Sequence, residues 1–94
     1  MKYVELTTMK NGDTVTYLAP ISITHLNPDL SIHPSVVKVE PHEDSFCYTL
    51  SIDNMTKEEK DFVEQITPGY SHWFVIQNLS ELEKAASRCK IIEK

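Results

Sequence analysis

His25, His33, His42 and His72, interleaved with Asp29, Glu43, Asp44 and Cys47, are the side chains best suited to metal or acid–base chemistry. Zinc sites built from imidazole, thiolate and carboxylate usually show close pairs such as His-x3-His or Cys-x2-Cys. The 25–33–42 spacing contains no such pair. The histidines read instead as loop and surface residues beside prolines, and no metal or cofactor is expected.

A nucleophilic thiol needs a base within hydrogen-bond reach. Cys47 with His42 and Cys89 with His72 are the available pairs. Cys89 falls on an apolar helical stripe, where a thiol behaves as a small hydrophobe. Cys47 lies on the strand face opposite Phe46 and Tyr48 and is the more accessible of the two. Neither stands near a glycine-rich loop, and the chain's two glycines also exclude phosphate-cradling motifs. The neighbours Glu43/Asp44 and Glu58/Glu59 diverge on a strand or helix, so they form no acid–base dyad. Lys57, Glu58, Glu59 and Lys60 read as a solvated helix face. The chain is expected not to be an enzyme.

Tyr70, His72, Trp73 and Phe74 form the one aromatic cluster. Trp73 and Phe74 point to opposite faces of a strand. If Phe74 and Ile76 face the core, Trp73 and Val75 lie under the 27–35 loop or against a partner; otherwise both faces of a central strand are buried. Aromatic and methionine side chains anchor protein interfaces, so Tyr3, Met9, Tyr70 and Trp73 are the expected partner-binding residues. The alternative is a small-ligand pocket between the sheet and the 27–35 loop, lined by His25, His33 and Tyr48.

Those residues sit in one expected domain, 1–94. Nine basic against fourteen acidic residues leave a charge of -5, and Arg88 is the sole arginine. This disfavours phosphate contacts, hence nucleic acid and anionic membranes. The acids are scattered, so their alignment as a nucleic-acid mimic cannot be read from the chain. No apolar run approaches the roughly 20 residues of a membrane helix, and the early Glu5 argues against a signal peptide. Cys47 and Cys89 are expected reduced, in a cytoplasmic protein.

Asn11-Gly12 is the firmest positional signal, since Asn-Gly suits a type I′ turn. It sets Lys10 opposite Asp13, Met9 opposite Thr14, Thr8 opposite Val15 and Leu6 opposite Tyr17. Val4, Leu6, Thr8, Val15, Tyr17 and Ala19 then share a face. Tyr3, Met9 and Leu18 interrupt the polar face opposite, which a later loop or another chain can cover. Residues 21–26 alternate as a short third strand or extended arm. A loop follows over 27–35, with Leu30 and Ile32 tucked under the sheet. Val36 to Glu40 reads as a strand stopped by Pro41, and Phe46, Tyr48, Leu50 and Ile52 alternate as another. Thr56 to Glu59 is a capping box opening a helix that Thr67-Pro68-Gly69 ends. Trp73 to Gln77 returns to strand, and Ser80 to Glu83 is a second capping box. Behind it Leu82, Ala85 or Ala86, and Cys89 form an apolar stripe. Ile91 and Ile92 finish that helix or add an edge strand.

Val4-Glu5-Leu6-Thr7, Asn11-Gly12, Ile21 and Ile23, with Trp73-Phe74-Val75-Ile76 leading into Ser80-Glu81-Leu82-Glu83, give a chain that resembles the FlbD-like family of small bacterial proteins associated with flagellar motility. The likeness covers about half the chain and implies a β-rich fold and a bacterial or phage setting. The helix around 56–66 and the 27–35 loop depart from the family pattern, and no functional residues transfer.

The expected architecture is α+β: one twisted antiparallel sheet of five or six strands, able to curl into a small open barrel, with two short helices. The expected function is that of a non-enzymatic protein-binding regulator or inhibitor. Its partner is a protein, and a homo-oligomer through an edge strand is one form of this.

Overall fold

Asn11 and Gly12 both take positive φ, 54° and 84°, and close β1 (Lys2–Lys10) onto β2 (Asp13–Pro20). The computed structural model of the chain describes residues 1–69 and 72–94. The hairpin register is the one the turn predicts, with Lys10 opposite Asp13 and Leu6 opposite Tyr17. Val4, Leu6 and Ala19 are wholly buried on one face. The opposite face is largely polar, and there Glu5 accepts from Arg88 Nη2 at 2.8 Å.

Arg88 belongs to β6 (Arg88–Glu93), which runs antiparallel along the other side of β1. Ile91 and Ile92 therefore form an edge strand, as β-branched residues favour. Cys89 is exposed on this strand and belongs to no helical stripe. Met1 N donates to the Lys94 carbonyl at 2.9 Å, and Lys94 N returns to Met1 at 3.1 Å.

A second sheet comprises β3 (Val36–His42), β4 (Ser45–Ser51) and β5 (Trp73–Val75), in that order. The α+β class holds, but the expected single sheet or barrel does not: among the described residues six strands form two three-stranded antiparallel sheets. The break lies where a third strand was expected. Residues Ile21–Ile23 form a 3-10 turn, and Thr24 directs both its N–H and its hydroxyl back to the Ile21 carbonyl at 2.9 Å. A threonine that satisfies backbone groups locally competes with a strand ladder. A second 3-10 turn, Leu30–Ile32, has about three residues per turn, so side chains two apart diverge. Leu30 is buried accordingly, while Ile32 is 77% exposed and not tucked under the sheet.

β3 continues through Pro41, which faces Phe46, to His42 opposite Ser45. In a two-residue hairpin the closing pair is hydrogen-bonded and the next pair is not. Pro41 thus loses no ladder bond and removes a donor from the open edge. Ile52 leaves the strand and starts the 3-10 turn Ile52–Asn54.

Helix α1 (Lys57–Ile66) opens with the expected capping box: Glu59 N donates to Thr56 Oγ1 at 3.3 Å, and Thr56 N to Glu59 Oε1 at 2.7 Å. It buries Phe62 and Val63 and packs against β2. Helix α2 (Ile76–Ala85) starts directly after β5, which shortens the expected strand and places Ser80 inside the helix. Ile76 and Leu79 are buried and Leu82 packs against the core. This i, i+3 apolar repeat overrides the cap signal at Ser80. The core lies among both sheets and both helices, around Val4, Leu6, Leu50, Phe62, Phe74 and Leu79. No described helix is long and apolar enough to cross a membrane.

Candidate functional site

β5 contributes only three cross-strand pairs, Trp73 with Ser51, Phe74 with Leu50 and Val75 with Thr49. The chain then turns away as α2, leaving residues 46–48 of β4 beside a helix instead of a strand. A groove of about 640 Å³ opens there. Phe46, Cys47 and Tyr48 form one wall; Ile76, Gln77, Ser80 and Glu83 form the other. His25 and the hairpin turn at Glu43 and Asp44 complete it. A hollow of about 240 Å³ shares His25, Phe46 and Tyr48 with the groove and reaches Pro28 and Leu30.

The main chain of β4 is directed by strand alternation. Ser51 N donates to Ser35 on the β3 side, and Ile52 N donates to His72 on the β5 side. Counting back in twos, Leu50, Tyr48 and Phe46 direct their N–H and C=O toward the β5 side. For Phe46 that side is the groove, beyond the last strand pair. Phe46 itself is 59% exposed.

Glu83 is the most buried of the groove's charged side chains, only 17% exposed, and its Oε2 lies 3.4 Å from Nδ1 of the half-exposed His25. Its Oε1 is buried and has no hydrogen-bond partner among the described residues. Burial pushes the Glu83 carboxyl above the usual carboxylate range, while His25 pulls the other way. Glu43, Asp44 and Glu83 against Lys84 make the lining acidic. Gln77 spans the groove with two long contacts, Nε2 to His42 Nε2 at 3.4 Å and Oε1 to Cys47 Sγ at 3.9 Å. At such lengths neither holds strongly. The Cys47 thiol thus turns to an amide, which does not activate it as a base would.

A second polar cluster lies in the interior. Glu59 is 1% exposed, although the sequence pattern placed it on a solvated helix face. Its Oε2 accepts from Ser22 Oγ at 2.6 Å and lies 3.0 Å from His33 Nε2. His33 Nδ1 accepts from Ser35 N at 3.1 Å, so in the neutral ring Nε2 carries the hydrogen and donates to Glu59. Burial raises the Glu59 pKa, but hydrogen bonds from Ser22 and Thr56 and the neighbouring His33 outweigh it, and the group lies below its ordinary 4.5. A serine, a histidine and a carboxylate meet here, yet both partners bond the carboxylate. Among the described residues of the cluster no serine hydroxyl bonds an imidazole to pass its proton, as nucleophilic catalysis requires. The cluster clasps the turns at Ser22 and His33 to the start of α1.

The expected ligand set therefore divides. His25 and Tyr48 meet at the groove and hollow, whereas His33 belongs to the Glu59 clasp. Of the expected partner-binding residues, Tyr3 is half-buried and Met9 63% exposed, on the same face of β1 but about 20 Å apart by strand rise. Trp73, on the second sheet, is 48% exposed, so neither the 27–35 segment nor a second buried face covers it. Tyr70 lies outside the described residues. Among the described residues no group of three His, Cys, Asp or Glu could hold a metal ion. Phe46 and Glu83 were not anticipated as site residues. Phe46 was legible only as the outermost member of an alternating strand, and Glu83 as a cap residue. No family model, curated protein or solved structure matches the chain.

Proposed function

We propose that this chain is a non-enzymatic protein-binding module, a small regulator or inhibitor whose partner seats against the β3–β4 hairpin and α2. The FlbD-like resemblance suggests a bacterial or phage setting. The observation that carries the reading is Phe46, an aromatic 59% exposed beside an acidic groove, with Val39 at 41% on the paired strand. Exposed aromatics next to a concave surface are typical interface anchors. Trp73 is a separate anchor, because its pairing with Ser51 puts it on the other face of the second sheet from Phe46. Photo-crosslinking in host cells from a benzoylphenylalanine at 46 or 73, with one at exposed Glu64 as control, tests this. A discrete protein adduct from 46 supports it; no adduct from 46 or 73 contradicts it.

The groove and its adjoining hollow favour a second reading, a small-ligand site reached by His25 and Tyr48. It requires a thermal shift with a metabolite or nucleotide that Tyr48→Ala abolishes. A broad screen without a shift counts against it.

A further inference from the structure

We infer that the groove between β4 and α2 takes an extended, basic segment of a partner protein, added as a strand to the open edge of β4 at Phe46–Tyr48. The inference rests on the protein-binding reading above and specifies the chemistry of the partner.

Two independent observations meet at this place. The first is the unfinished ladder. β5 ends at Val75 opposite Thr49, and alternation turns the Phe46 N–H and C=O into the groove, where no strand follows among the described residues. An extended peptide continuing the line of β5 would meet these groups, as in other strand additions. The rival edge of the same sheet, β3, carries Pro41, which removes a donor and obstructs such pairing.

The second is charge. Glu43 and Asp44 stand at one end of the groove and Glu83 on the α2 wall, against one lysine, Lys84, among the described lining residues. The half of the Glu83 carboxylate facing His25 is held at 3.4 Å, and the other oxygen has no partner among the described residues. A lysine or arginine side chain entering from the groove supplies the donor that Glu83 lacks once the carboxylate rotates toward it. The apolar flank fits the same occupant. Tyr48 and Phe46 line both the groove and the hollow beside it, so alternate side chains of an added strand would meet apolar surface. Gln77 yields readily, since its contacts across the groove are only 3.4 and 3.9 Å.

The test uses the full chain and two capped synthetic peptides, Val-Lys-Val-Lys-Val and Val-Glu-Val-Glu-Val, followed by amide NMR. The expected result is binding of the basic peptide alone. Shifts should centre on Phe46, Cys47, Tyr48 and Glu83, and exchange of the Phe46 amide should slow. Glu83→Gln and, separately, Asp44→Asn should each weaken binding, Glu83→Gln by about five- to tenfold. The second variant lies in an exposed turn, so it keeps the test informative if the first alters folding. No binding, equal binding of the acidic peptide, or shifts confined to the first sheet would overturn the inference. A protein crosslinked from position 46 together with a silent basic peptide would overturn this inference and leave the protein-binding reading intact.

Discussion

Thr49 and Val75 are the last cross-strand pair of the second sheet, and at the next residue the chain becomes helix. That early departure follows from a change in the period of burial. Phe74 is buried through the strand's period of two, whereas Ile76 and Leu79 are buried through a helical spacing of three. The switch of period falls at Val75, and the groove beside Phe46 is its consequence. A longer β5 would have closed the edge that we assign to a partner.

Phe46 should matter little to stability and much to binding. Phe46→Ala is expected to change unfolding free energy by less than about 0.5 kcal/mol, as exposed positions do. Phe74→Ala, at a wholly buried position, should cost about 3 to 5 kcal/mol. Urea unfolding of the two variants separates a surface anchor from a core residue.

The Glu59 clasp predicts a large and graded response. Glu59→Ala removes the carboxylate half of the capping box and strands the Ser22 hydroxyl, the His33 N–H and the Thr56 amide, for a loss of about 2 to 4 kcal/mol. Glu59→Gln keeps an acceptor and should cost less. Because the folded-state pKa of Glu59 is depressed, its stabilisation is present above 4.5 and is lost as pH falls through the lower folded value. Unfolding titrations from neutrality into acid should show a loss in the wild type that Glu59→Gln lacks.

Glu83 carries the opposite sign. Its folded-state pKa is raised, so the stability it contributes is present below 4.5 and is lost as pH rises through the raised value. Glu83→Gln should therefore raise Tm at neutral pH and give no gain in acid. A lower Tm at neutrality would show that its charge is already compensated in the isolated chain.

Gly12→Ala tests the turn. At φ +84° an added Cβ meets nothing within 4 Å, so the cost is conformational, about 1 to 2 kcal/mol. Thermal unfolding should show this loss with the β-sheet circular dichroism unchanged.

Local chemistry was legible in the sequence where one short-range signal acted alone. Asn11-Gly12 specified the whole hairpin register, and Thr56 with Glu59 located the start of α1. Competing signals were not separable. Thr24 captured the backbone where alternation suggested a strand, and the 76–79–82 repeat displaced the cap at Ser80. The site depends on long-range pairing. That Glu59 meets Ser22 and His33, or that Glu83 faces His25, follows from how turns distant in sequence pack against the helices. Chain order carries no mark of those meetings.

The open edge of β4 is the feature on which the strand-addition inference stands, and amide hydrogen exchange reads it residue by residue. In the isolated chain the Cys47 amide, directed to Glu40 across the β3 ladder, and the Leu50 amide, directed to Phe74, should exchange slowly. The Phe46 amide, between strands on one side only, should exchange at least about tenfold faster, as unpaired surface amides do. A Phe46 amide protected as well as that of Cys47 would mean that the edge is already filled, and would contradict the account.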